Sequence, residues 1–215
     1  MKTIKFASGV IGLGLLGGSW FVLAQNAPQQ TQQAPPPMTF FVTSAGSGKG
    51  ADLGGLAGAD ALCQRLAGPN GANKTWRAYL STQGPNAVNA RDRIGKGPWH
   101  NFRGALVGQN IDEIHSMGHR FTSMTVLDEQ GRMIPGGGFA PNRHDILTGS
   151  TTEGRAYPAG ADMTCNNWTS SATGKARVGH HDRAAWNSAH DSQGCSQEQL
   201  RGSGGDGLFY CFAAQ

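Results

Sequence analysis

The chain has 215 residues, of which 15% are charged, with 18 Lys and Arg against 14 Asp and Glu. Removing Lys2 and Lys5 with an export leader leaves 16 basic residues against 14 acidic ones, a balance too even for a nucleic-acid-binding chain. An apolar fraction of 38% and 33 glycines predict a modest core with long irregular connections.

Lys2 and Lys5 precede an apolar stretch over residues 6–23, and Val22-Leu23-Ala24 puts small residues where a signal peptidase reads them. Glycines interrupt that stretch and it is barely long enough to span a bilayer, so cleavage near Ala24 is expected rather than anchoring. Residues 1–24 therefore read as a signal peptide. The mature chain is expected to be secreted or periplasmic with no integral membrane span, and the lack of a cysteine after the leader argues against lipidation. Residues 25–38 are rich in Gln and Pro with almost nothing to bury, and read as a disordered spacer. Residues 39–215 are the right size for one domain.

Within that domain, Thr39-Phe40-Phe41-Val42-Thr43 reads as a first strand. A Gly-rich loop leads to a helix in which Leu56, Ala59, Leu62, Cys63 and Leu66 share a face and which stops at Gly68. Trp76-Arg77-Ala78-Tyr79-Leu80-Ser81 alternates as a strand does. Met124-Thr125-Val126-Leu127 is expected to turn through Asp128-Glu129-Gln130-Gly131 toward Met133-Ile134 as a hairpin. Residues 135–207 carry few periodic runs and are expected to form mostly loops. Leu208-Phe209-Tyr210-Cys211-Phe212 reads as a buried final strand.

Four cysteines in an exported chain predict two disulfides, for which three pairings exist. Cys63 lies on the apolar face of the first helix and Cys211 in the final strand, so a bridge between them staples the two ends of the domain. Cys165 then pairs with Cys195 around a polar loop.

The order of these elements resembles the C-type-lectin-like fold, and most closely its endostatin-type branch. The residues that carry the likeness are Gly58-Ala59-Asp60-Ala61-Leu62-Cys63, Trp76-Arg77-Ala78-Tyr79-Leu80-Ser81, Leu147-Thr148-Gly149-Ser150, Cys165-Asn166-Asn167-Trp168 and Gly207-Leu208-Phe209-Tyr210-Cys211. The chain is also similar to small exported bacterial proteins described as lectins. The resemblance implies an α+β domain with a mainly antiparallel sheet, few helices, long loops and two nested disulfides. It also implies a non-enzymatic role in binding carbohydrate, a cell-surface glycan or an envelope protein.

Calcium in sugar-binding C-type lectins is held by an acidic Pro loop and a Trp-Asn-Asp strand. Here Trp186-Asn187-Ser188 lacks the acid, as does Ala140-Pro141-Asn142, so classical calcium coordination is not expected and no cofactor is assigned. The N-terminal zinc-binding histidines of endostatin have no counterpart near residue 39.

His144, His180-His181-Asp182 and His190-Asp191 bring imidazoles and carboxylates together in the sequence, a composition that suits zinc or an acid–base pair. Adjacent histidines on a strand point apart, no His-x-x-x-His helix sets a geometry, and no nucleophile motif is present, so ordinary hydrogen bonding is the expectation, with neither metal nor catalytic residue. Ala45-Gly46-Ser47-Gly48-Lys49-Gly50 lacks the Gly-Lys-Ser/Thr ending of a phosphate loop. Arg77, Arg91, Arg93 and Arg103 are read as scattered, solvated surface. Trp168 and Trp186 are read as core fillers rather than sugar platforms. The candidate ligand-binding residues are Asn166, Asn167, Asn187, His190 and Asp191, whose amides, imidazole and carboxylate suit sugar hydroxyls.

Overall fold

The computed structural model describes residues 34–214. The expected leader and the first part of the spacer, through residue 33, lie outside the described residues. Residues 34–37 are exposed, and Met38 is already buried in the core.

The organising element is β8 (Gly205–Ala213), nine residues in which Leu208, Tyr210 and Phe212 face one way and Phe209, Cys211 and Ala213 the other. β1 (Phe40–Val42) pairs antiparallel with it, Phe41 opposite Cys211, and β2 (Trp76–Ala78) pairs antiparallel as well, Ala78 opposite Cys211. The first half of β8 runs parallel to β5 (Asp145–Leu147), whose other edge takes β6 (Arg177–His180) and then β7 (His190–Asp191), both pairings antiparallel. β3 (Trp99–His100) and β4 (Leu106–Gly108) form a separate hairpin. The domain is thus α+β with a mainly antiparallel sheet.

A sheet buried on both faces needs two apolar layers. On one face α1 (Gly55–Ala67) lays Ala59, Leu62 and Cys63 against Phe41, Trp76, Phe209 and Cys211. Gly58 is required inside α1, because a Cβ there would lie 2.0 Å from the Leu53 carbonyl oxygen. On the other face Phe40, Tyr79, Phe121, Trp186, Tyr210 and Phe212 form an aromatic core, with Phe121 stacked on Trp186 at 4.0 Å between centroids. Trp168 and Trp186 are both buried, as fillers of the core should be. Short helices complete the described chain: α2 (Ile111–Ile114), the helical turn α3 (Cys165–Trp168) and α4 (Gln197–Gly202), the last started by a Ser196/Gln199 capping box.

The disulfides join Cys63 to Cys211 and Cys165 to Cys195, the nested pairing read from the surroundings of each cysteine. They span 148 and 30 residues, so in the chain-entropy picture they contribute about 5 and about 3.6 kcal/mol.

Two expectations about elements need correction. The second strand ends at Ala78; Tyr79 still donates its N–H to Tyr210, after which the chain leaves β8 and Ser81 donates to Thr148 instead. The hairpin through Asp128 reduces to one Leu127–Met133 bridge, closed by Asp128 Oδ1 accepting the N–H groups of Gln130 and Arg132 at 2.9 and 2.8 Å. Residues 135–207 are mostly loops, as expected, and the short β5, β6, β7, α3 and α4 lie among them; strands of two to four residues are too short to reveal a period. Among the described residues no helix is long and apolar enough to cross a membrane.

Candidate functional site

The strand register decides which polar side chains meet. Asp145 on β5 stands opposite His180 on β6, and Leu147 opposite Val178, so these four side chains share one face of the sheet. His190 on β7 pairs with Val178, which places it diagonally beside His180. Leu147 and Val178 belong to the core under α1. One register step further along the same face, the apolar layer gives way to Asp145, His180 and His190. His144, the residue before β5, closes the group.

Three imidazoles converge on one carboxylate oxygen. The Nε2 atoms of His144, His180 and His190 lie 3.1, 3.3 and 3.4 Å from Asp145 Oδ1. The His144 and His180 rings stack at 4.3 Å, and His190 tilts against His180 at 5.0 Å. Of the outer ring nitrogens, that of His190 is hydrogen-bonded and that of His144 is not. His144 Nδ1 faces Asp182 Oδ1 at 3.5 Å, and His190 Nδ1 lies 3.0 Å from the Asp191 carbonyl oxygen. Asp182 is itself held by the Gly137 N–H at 2.9 Å from Oδ2, an approach open only because a Cβ on Gly136 would lie 2.4 Å from that oxygen.

These polar atoms are not satisfied by the protein. Neither Asp145 oxygen accepts a well-aligned hydrogen bond, and His144 Nδ1, His180 Nε2 and Asp182 Oδ1 are likewise buried without one. The close nitrogen–oxygen approaches are contacts without a suitable N–H direction. Burial raises the Asp145 carboxyl above its ordinary range, against the pull of His190 and His144. Burial also drives His180 down to about 4, helped by the charges of His144 and His190, so that ring is neutral at pH 7. His181 points away from the group, fully buried, and burial lowers it too. Burial alone would raise Asp182; the Gly137 N–H and the nearby His181 and His144 outweigh it and bring it down. Access is from the β7 edge, where the His190 side chain is 42% exposed while that of Asp145 is 2% exposed. One donor atom each from His144, Asp145 and His180 lie within 4.8 Å of one another, close enough for a single metal ion.

The five candidate ligand-binding residues fall into three settings rather than one fork. Asn166 and Asn167 sit in α3, where Cys165, Asn166, Asn167 and Trp168 all have positive φ, between 47° and 68°. They line an open cavity of about 340 Å³ with Gln83, Asp162 and Thr164, but Asn167 exchanges hydrogen bonds with the Gln83 backbone at 2.7 and 3.1 Å. Asn187 is buried, not exposed as expected. Its amide donates to Tyr79 Oη and to the Thr151 and Thr152 carbonyls at 3.0–3.1 Å. His190 joins the carboxylate group just described. Asp191, beside it on the edge strand β7, pairs with Arg177 of β6 at 3.0 Å.

Of the four arginines, Arg77 and Arg103 are exposed, as expected of a solvated surface, whereas Arg93 is not. Arg93 is nearly buried against Asp60, Arg77 joins it there, and Arg103 donates to the Gly131 carbonyl. The member of the site that reading the sequence missed is Asp145, its centre. The signal was the dipeptide His144-Asp145 directly before the apolar Ile146-Leu147, a polar start to a buried strand. No protein-family model matches the chain, and no curated protein matches it.

Proposed function

We propose that this chain is an exported, non-enzymatic lectin-like module of the C-type-lectin-like, endostatin-type architecture, and that it binds a carbohydrate or another cell-envelope ligand at the β5–β6–β7 edge. Two nested disulfides suit an oxidising compartment, and the mixed domain with its terminal strands paired suits that architecture. One observation carries the location: His190 on the edge strand is half-exposed and reaches inward to Asp145, whose oxygens accept no hydrogen bond. Buried polar atoms without protein partners, reachable from solvent, are groups that a ligand can satisfy. Asp191 beside it adds a carboxylate already oriented by Arg177, so little ordering cost attaches to binding there.

A glycan array probed with the secreted chain tests this reading. Binding to a defined subset of glycans is expected, weakened about 5- to 150-fold by His190→Ala or Asp191→Ala with circular dichroism unchanged. A blank array, or variants that bind like the parent, would overturn it.

A further inference from the structure

We propose that His144, His180, His190 and Asp145 form a binding site for a divalent first-row transition ion, with Zn²⁺ as the physiological class. The inference stands on donor geometry and does not need the glycan reading.

First, in a tetrahedron with metal–ligand bonds of 2.0–2.1 Å the edges are about 3.3–3.4 Å long. The three nitrogen–oxygen separations around Asp145 Oδ1, at 3.1, 3.3 and 3.4 Å, match the edges that meet at one corner of that tetrahedron; the His144, Asp145 and His180 donors lie within 4.8 Å of one another, and the half-exposed His190 ring swings in from the open edge to complete the shell.

Second, the outer partners set the tautomers. The Asp191 carbonyl at His190 Nδ1 favours a proton there and leaves the Nε2 lone pair directed at the group, and the Asp182 carboxylate, 3.5 Å from His144 Nδ1 with no hydrogen bond formed, draws a proton to that nitrogen by charge. Lone pairs on imidazole facing lone pairs on a carboxylate repel unless a cation lies among them. A carboxylate behind a histidine, as Asp182 is behind His144, is also the usual support of a metal-bound imidazole.

Third, the cluster is buried yet unpartnered: Asp145 is 2% exposed with both oxygens lacking a hydrogen bond, and His180 Nε2 lacks one too. A site with such groups is high in energy unless something fills it. Fourth, three nitrogen donors and one oxygen select against calcium and magnesium, which take oxygen shells, and suit zinc.

The ligands come from three adjacent strands and the residue before one of them, so the fold itself sets their spacing. The Gly-rich run at residues 136–138 contributes by letting Asp182 approach the backbone.

The test is zinc stoichiometry and affinity of the full secreted chain, by metal analysis after dialysis and by competition against a chromophoric chelator, with no glycan present. One Zn²⁺ per chain is expected. Asp145→Asn and His190→Gln should each weaken binding by more than about 100-fold, and Asp182→Asn by about 10- to 100-fold, as loss of an outer partner does. His119→Ala, outside the cluster, should bind like the parent. Co²⁺ substitution should give the intense visible bands of a four-coordinate ion, lost in His190→Gln. That variant changes an edge residue and carries the test if Asp145→Asn fails to fold. Absence of stoichiometric zinc would overturn the proposal and leave a shared proton as the cation of the cluster. Zinc bound equally by the parent and His190→Gln would overturn it as well.

Discussion

Arg93 places one guanidinium nitrogen 2.9 and 2.8 Å from the two carboxylate oxygens of Asp60, which tethers the segment after β2 to α1. Both side chains are nearly buried, at 10% and 12% exposure. Asp60 also accepts from Arg77 at 2.8 Å and from the Ala78 backbone N–H at 2.9 Å, and Arg93 donates to the Ala78 carbonyl. Breaking a buried pair from one side leaves the other charge without compensation. Asp60→Ala is therefore expected to cost about 3–5 kcal/mol in chemical denaturation. A loss below about 1 kcal/mol would show that the pair is easily replaced by water.

The left-handed turn at α3 makes a second prediction. Asn166 has φ 53° and an exposed side chain whose amide donates to Thr169 Oγ1 at 2.9 Å. Asn and Gly tolerate this backbone region, and a β-branched residue does not. Asn166→Val should lie about 1–2 kcal/mol below Asn166→Gly in stability. Equal unfolding midpoints for the two would mean that the turn relaxes in solution.

Asn187 is expected to act on stability. Removing its amide leaves buried Tyr79 Oη without this donor and takes a donor from the part-buried Thr152 carbonyl, while the Thr151 carbonyl keeps the Gly154 N–H. Asn187→Ala should destabilise by about 1–3 kcal/mol, read from urea titration. Were the variant as stable as the parent, water would have to enter and replace the amide.

His115 predicts the pH response. Its Nδ1 lies 2.7 Å from the Ile111 carbonyl and its Nε2 2.7 Å from Tyr79 Oη, and burial lowers its pKa below the ordinary imidazole value. A neutral ring with the proton on Nδ1 accepts the tyrosine O–H. Above about pH 6.5 neither folded nor unfolded chain carries the extra proton, so stability is whole. Below that the unfolded chain binds the proton first, and stability falls until the pH reaches the lowered folded-state value. His180 and His181 act in the same direction. Melting temperatures measured in chelator should therefore drop below pH 6.5, with a shallower drop in His115→Gln. An unchanged slope in that variant would assign the response to the other two histidines.

The sequence by itself determined what local patterns and covalent logic encode. Cys63 on an apolar helical face and Cys211 in a run of Leu, Phe and Tyr announced the outer bridge, and the remaining two cysteines followed. The helix ending at Gly68, the first and last strands and the core role of the tryptophans were legible because each rests on a periodicity or on bulk that survives without context. What the tertiary structure alone decided was register. β5, β6 and β7 are too short to display a period, and it is their pairing that sets Asp145 opposite His180 and His190 one step away. A shift of one residue would turn those side chains to the opposite face of the sheet. Likewise the amide of Asn187 looks like any polar loop group in the sequence. Only the folded chain closes Tyr79, Thr151 and Thr152 around it, because hydrogen-bond partners 35 to 108 residues apart leave no trace in local composition.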